Sequence, residues 1–560
     1  MGFWNRSNKT SDVDLQDITT TTDHEKNPHP EDGHPAVPDD ALPAEDVTEG
    51  VKDMEAITLV WTKSSLICLF IFIWLVYLLN AFQSSTVGNL VPYVTSTWGS
   101  HSLLNTIGVV ASSMTAAVFI PLAKLLDLWG RAEGYLLMVG FCELGLILMA
   151  TAKDLSTYCA ANNRALAYAF TSSPYMISAF AGSYASDRML SDIGWPWGFG
   201  TFAFITPVVC APLYLLLKIN LRKAKKNILP KKASGRTLKE SIWHYVLEFD
   251  VLGVFLFAAG LVIFLLPFTI ASTAPHGWST GYIIAMIIVG FILLVGFALN
   301  EVYFAPVPFL KFHFLTDRTL VGACLLDLTY QISYYCWNNY FTSFLQVVNY
   351  LTVAEAGYVN NTFNVVSGFL LFIVGWSIRK TGYFKWLLWV GVPLYILAQG
   401  LMIYFRSPTG YVGYLVMCQV FISVGGSVFT ICMQLAVLAA VDHQHVAAAL
   451  AMLNVTGTAG GSIGDTISGA IWTNTFEKAL KMYLPASALE NLDAIYGDLP
   501  TQLSYARGTP ERIAIQKAYG YAQTRMLAAG TAIMALSFIW VALIRNLKVS
   551  EMRQTKGNVF

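Results

Sequence analysis

The chain has 560 residues and no net charge, with 55% hydrophobic and only 12% charged, where a soluble domain carries roughly 25% charged residues. That balance excludes a soluble globular protein, which would expose large apolar patches, and gives no reason to expect a nucleic-acid partner. The eight cysteines stand singly, mostly in apolar blocks, without the spacing of a disulfide framework or a zinc site.

Residues 1–57 are rich in Asp, Glu, Pro and Thr and poor in large apolar residues. They cannot bury enough surface to offset ordering entropy, so a disordered acidic tail is expected. His24, His29 and His34 recur there at intervals of five. Solvated tail histidines are the plain reading, metal sensing the sharper one. The polar start is not a signal peptide, and Arg6 stands where myristoylation favours Ser or Thr.

Apolar blocks of about 20 residues follow, the length that crosses a hydrocarbon core as a helix. They fall at 65–85, 103–124, 133–152, 165–185, 197–217, 250–271, 280–299, 319–345, 355–377, 385–404, 411–438, 446–472 and 522–544. The fourth is diluted by Thr171, Ser172, Ser173, Pro174 and Ser178.

After the second block, Asp127 precedes Arg131 by four residues, with Gly130 between them. Such a pair can pin two helix ends through a charge-assisted bond across a turn-permitting glycine, a candidate cytoplasmic gate. The plain alternative is a charged helix end. Glu143, in the third block, is an intramembrane carboxylate.

The 218–248 loop carries Lys218, Arg222, Lys223, Lys225, Lys226, Lys231, Lys232, Arg236 and Lys239 against Glu240 and Glu248, which marks it as cytoplasmic. The Asp127–Arg131 loop should be inside as well, yet three blocks lie between the two. Either 165–185 does not cross, or a span is missing near Cys159–Arg164.

In the block 319–345, Asp327, Gln331, Tyr334, Asn338 and Thr342 step by four, three, four and four, one stripe of a helix. Tyr330, Tyr335, Trp337 and Tyr340 flank it. The stripe either lines a water-filled cavity or bonds another helix, and the ionisable Asp327 favours the cavity. Two helices into this half, Arg379 and Gly382 repeat the spacing of Asp127 and Gly130 in a second short loop, as parallel repeats would.

The block 446–472 carries Gly457, Gly461, Gly464 and Ser468 on roughly one face, a close-packing surface. Asn454 and Asp465 add polarity. Glu143, Asp327 and Asp465 are each candidates for a coupling proton, with a satisfied packing polar as the alternative. Thr475–Gly520 reads as an outer lid or vestibule, and the tail after the last block is basic. No P-loop, His-Glu-x-x-His or nucleophile elbow occurs, so no enzyme activity or cofactor is expected, and a gradient is the driving force.

The expected class is an all-α polytopic membrane protein. Its parts would be an acidic cytoplasmic tail over 1–57, an N-terminal transmembrane bundle over 58–217 and a basic loop over 218–248. A central and C-terminal bundle would occupy 249–474, an extracellular loop 475–520, a last span 521–545 and a cytoplasmic tail 546–560.

Six stretches resemble the fungal siderophore–iron transporters of the major facilitator superfamily. They are Arg131-Ala-Glu-Gly-Tyr-Leu-Leu-Met138, Phe170-Thr-Ser-Ser-Pro-Tyr175, Trp197-Gly-Phe-Gly200, Phe249-Asp-Val-Leu-Gly253, Asp442-His-Gln-His445 and Ile467-Ser-Gly-Ala-Ile-Trp-Thr-Asn474. The resemblance implies two pseudo-repeated bundles plus extra spans, fourteen in all, and proton-coupled import of ferric siderophores. It also implies an outer loop that helps handle substrate; a monomer, embedded in the plasma membrane or in endosomal vesicles, is the expected form. A drug or glutathione proton antiporter and a non-transporting siderophore receptor are the rival readings.

Departures accompany the likeness. The family usually carries a whole span between the positions of Cys159 and Asn163, which this chain lacks. Trp337–Asn338 stands where relatives often have Trp-Asp, and Met433–Gln434 where they often have Glu-Gln.

Overall fold

The computed structural model describes residues 61–129, 131–151, 175–227, 238–306, 314, 316–441 and 446–548. Both tails' outer residues, the Cys159–Arg164 joint, Gly130 and the Asp442–His445 stretch lie outside the described residues. Among the described residues the structure is helical, with one isolated bridge between Tyr383 and Lys548.

The N-terminal group comprises α1 (Lys63–Thr97), α2 (Leu104–Trp129), α3 (Arg131–Ala150), α4 (Tyr175–Arg188) and α5 (Trp195–Asn227). After α6 (Leu238–Glu248) come α7 (Val251–Ile270) and α8 (Gly281–Leu299). The C-terminal group comprises α9 (Arg318–Asn338), α10 (Phe341–Asn349), α11 (Val353–Thr381), α12 (Lys385–Phe405), α13 (Val412–Ala440) and α14 (Val446–Tyr483). Two short helices, α15 (Leu492–Gly497) and α16 (Leu499–Ser504), then lead to α17 (Pro510–Met534) and α18 (Ser537–Leu543).

Local chemistry sets several of these ends. Thr352 and Glu355 close a reciprocal capping box on α11, and Gly382 ends that helix in the left-handed region at φ 75°. Asp250, at φ 44°, caps α7 by accepting from Gly253 N at 3.1 Å. Its carboxylate also accepts from Asn300 Nδ2 at 3.2 Å, so the Phe249–Gly253 stretch ties the start of α7 to the end of α8.

Ten helices among the described residues are long and apolar enough to cross a membrane. The polar α9 and α14 are not among them. They pack on each other, α14 also against α2, and α9 also against α17. Apolar girdles surround them: Phe141, Phe204, Phe291 and Phe372 are more than half exposed. Hydrocarbon accommodates such side chains without penalty, whereas water would not.

The two groups meet along α2–α14 and α4–α11, with α7 resting on α2, α8 and α14. At one end, Lys218 pairs with Glu133, and Lys124 Nζ donates to Glu248 O at 3.0 Å. At the other, Leu499 N donates to Ser96 Oγ at 2.9 Å and Ser102 Oγ to Tyr496 O at 2.7 Å.

Five elements differ from the sequence reading. Helix α1 runs past the block 65–85 to Thr97, and the last block, 522–544, is two helices of which the first begins at Pro510. The block 319–345 is not one helix: it breaks at Asn339–Tyr340, where Tyr340 adopts φ 56°. The block 446–472 continues to Tyr483, because Phe476, Ala479 and Leu480 bury an apolar face and no proline intervenes before Pro485. The connection from α14 to α17 is therefore 484–509 rather than 475–520. Of the block 165–185, the described part is α4, which runs on to Arg188 before a π-turn.

Candidate functional site: the α9–α14 seam

Small residues let α14 lie directly on α9. A Cβ at Gly460 would strike the Leu328 backbone, and one at Gly464 would come within 3.0 Å of the Ile332 backbone. At Gly461 it would meet the Tyr335 ring at 3.0 Å. At Gly457 it would overlap the carboxylate of Asp327. Asp327 is buried there and faces Gln331 one turn along.

Further along α9, Gln331, Tyr334, Tyr335 and Asn338 are half-buried, while Tyr330 and Trp337 are enclosed. Tyr334 is a hub of edge-on rings, with Tyr335 at 5.5 Å and Trp337 at 5.2 Å. Thr342 falls after the break, on α10, so it does not continue the α9 stripe.

The break builds a second cluster. Asn339 Nδ2 donates to Asp465 Oδ1 and to Ser468 Oγ, each at 2.8 Å. From α2, Asn105 Nδ2 also donates to Ser468 Oγ at 2.8 Å. The second oxygen of Asp465 is buried without a partner, and a Cβ at Gly108 of α2 would overlap that carboxylate. Tyr340 turns the other way, stacking on Trp472 at 4.0 Å and donating to Ser102 O at 2.7 Å.

Sequence reasoning passed over Arg406, which follows α12 and is wholly buried. Its Nη1 donates to Trp337 O and Gln523 Oε1, both at 2.7 Å, and its guanidinium lies 4.2 Å from the centre of the Phe341 ring. The trigger for such a break in a membrane helix is a set of donors able to satisfy the freed carbonyls. Nothing local in Phe405–Arg406–Ser407–Pro408 announces that role.

The remaining candidates stand apart. Glu143 faces Thr206 of α5. Asp127 ends α2 and Arg131 opens α3, with their side chains outside the described residues, as is Gly130. Arg379 is exposed in the last turn of α11 before Gly382. A separate apolar cleft of about 270 Å³ lies between α4 and α11, lined by Phe180, Tyr358 and Thr362 among others, and α9 does not reach it. No group of metal-binding side chains occurs among the described residues.

No family model matches the chain. Among curated proteins it is 57% identical to "Siderophore iron transporter mirB" of Emericella nidulans over 549 residues, covering 93% of this chain and 91% of the relative. It is 56% identical to "MFS siderochrome iron transporter 1" of Gibberella zeae over 548 residues, covering 93% and 90%. Since 93% of 560 residues is about 521, about 28 of the 549 aligned positions hold no residue of this chain.

Among solved structures, a point mutant of the peptide transporter POT in complex with alafosfalin aligns at TM-score 0.49 and 12% identity, covering 85% of this chain and 96% of that one. An inward-facing bacterial homologue of the human lysosomal transporter Spinster aligns at 0.48 and 13%, covering 86% and 97%. The chain is a multi-pass membrane transporter rather than an enzyme. It belongs to the fungal siderophore–iron transporters of the major facilitator superfamily.

Proposed function

We propose that the chain imports ferric siderophores together with protons, across the plasma membrane, through a passage beside the α9 stripe. The observation that carries this reading is the polar face of α9 set within a transporter bundle. Half-buried Gln331, Tyr334 and Asn338 offer amides and a phenol to a bulky, polar-rimmed chelate. A polar stripe in lipid is retained where it borders an enclosed, wettable space.

Asp327 and Asp465 suit proton coupling because each is buried and neither forms an ion pair among the described residues. A carboxylate so placed is tolerated best when it can change its protonation state as the site opens. Glu143 is the third candidate. Asp127, Gly130 and Arg131, with Arg379 and Gly382 in the second half, form the proposed cytoplasmic gate. The 484–509 connection, held to the N-terminal group through Ser96 and Ser102, caps the opposite end.

The unmatched length, about 28 positions, favours a second reading, a receptor that binds siderophore without carrying it. Iron-labelled ferric hydroxamate given to cells lacking other siderophore carriers separates the two. Cytosolic accumulation supports import, and saturable surface binding without accumulation supports the receptor. Efflux without uptake would point to an antiporter instead.

A further inference from the structure

Arg406 is a buried cation and Asp465 a buried carboxylate near the α9–α10 break, and among the described residues no direct hydrogen bond or ion pair joins them. Three hydrogen bonds step between them, arriving at Asn339 on its backbone carbonyl and leaving from its side-chain amide. Arg406 Nη1 donates to Gln523 Oε1 at 2.7 Å, Gln523 Nε2 donates to Asn339 O at 3.2 Å, and Asn339 Nδ2 donates to Asp465 Oδ1 at 2.8 Å. Every donor points from the cation toward the carboxylate. Aligned bonds of this kind polarise one another, and a low-dielectric interior carries the field of the charge further than water would.

We propose that Arg406 is the indirect counter-charge of Asp465, a positioning residue that sets when this carboxylate gives up its proton. The inference rests on the reading of Asp465 as a proton carrier.

The surroundings leave Arg406 few competitors. Along Leu104–Ala117 α2 presents no ionisable side chain, and α7 and α13 carry no acidic or basic residue at all. From α9 and the break come the buried Cys336 and Tyr340, the latter stacked on Trp472. From α17 comes Tyr519, whose ring is 5.1 Å from Trp472 of α14. His101 lies against Tyr340 and within 3.5 Å of the Tyr519 hydroxyl. Arg512, also buried, is committed to Val347 O, Gln346 O and Gln502 O, and Lys517 and Arg525 are exposed. Asp327 lies just over three turns back along α9 from Asn339.

A purely structural role would be to hold the break, because Arg406 also takes Trp337 O. Charge coupling predicts more than that. The test is iron-labelled siderophore uptake against external pH for Arg406→Gln, Arg406→Lys and Gln523→Glu in the full chain. Gln523→Glu keeps the shape of the glutamine but places a carboxylate on Arg406, cancelling its charge locally.

Removing or cancelling the cation lets Asp465 keep its proton to higher pH. The pH of half-maximal uptake therefore moves up in Arg406→Gln and Gln523→Glu, by less than the roughly 1–3 units of a charge in direct contact. Arg406→Lys keeps the charge and stays near the parent. If Arg406→Gln does not reach the membrane, Gln523→Glu carries the test. An unmoved pH profile in Gln523→Glu overturns the inference. Asp465→Asn is the control for the reading beneath it: uptake that keeps its full pH dependence in that variant sinks Asp465 as the proton carrier, whatever Arg406 does.

Discussion

Gly457 of α14 lies so close to Asp327 of α9 that a single methyl group on the glycine would overlap the carboxylate. The seam therefore has no room to spare, and the small-residue face of α14 is what seats the polar helix. Overpacking a filled interior typically costs about 1–3 kcal/mol. Gly457→Ala should lower the thermal midpoint of the protein in detergent and reduce uptake several-fold. Gly375→Ala, with open space around it, should change neither.

Tyr340 holds a backbone conformation that suits glycine, at φ 56°, and a bulky residue there implies compensation elsewhere. The compensation is the flat stack on Trp472, at 4.0 Å and 8°, with only 3% of the side chain exposed. Tyr340→Phe keeps the stack and loses one hydrogen bond to Ser102 O, a loss of about 0.6 kcal/mol in a membrane protein. Tyr340→Gly relieves the backbone yet empties the site, which costs about 3–5 kcal/mol for a large ring. Thermal unfolding should rank parent and Tyr340→Phe together and Tyr340→Gly well below them.

Asp250 joins two helices with one carboxylate, capping α7 and accepting from the buried Asn300. Losing a cap costs about 1 kcal/mol, and a stranded buried amide adds about 1–3 kcal/mol. Asp250→Ala should lower the thermal midpoint clearly, while Asp250→Asn, which can still accept from Gly253 N, should recover part of the loss.

The basic 218–248 segment sets the proposed orientation. An epitope tag inserted between residues 228 and 237 should be reached by antibody only after cells are permeabilised, and one in 484–509 should be reached on intact cells. Labelling in the reverse order would invert the orientation proposed for every helix.

Much of this architecture was legible in the sequence, because membrane helices announce themselves by length and apolarity. The blocks that became α1, α7, α8 and α13 needed nothing else. The α9 stripe was legible too, since the four-three-four spacing of Asp327, Gln331, Tyr334 and Asn338 is a helical face. Its end was not. Tyr340 lacks the glycine that normally marks a left-handed residue, and the Asn338–Asn339 pair before it is only a weak turn signal. Arg406 was illegible for a different reason. Beside Ser407 and Pro408 it reads as a loop cation, and only the packing of α10, α12 and α17 around it reveals a buried charge. The end of α14 was misplaced because polar Thr473, Asn474 and Glu477 mimic a loop while Phe476 and Leu480 still face the core.

The central claim is that the polar face of α9 borders the path of the chelate. It is tested most directly by iron delivery in cells without other siderophore carriers, comparing the parent with a variant carrying Gln331→Leu and Asn338→Leu together, both at half-buried positions. The account predicts normal surface abundance with uptake reduced at least about tenfold, since a lost polar contact of about 1.4 kcal/mol is already a factor of ten. Undiminished iron accumulation by the double variant would contradict it.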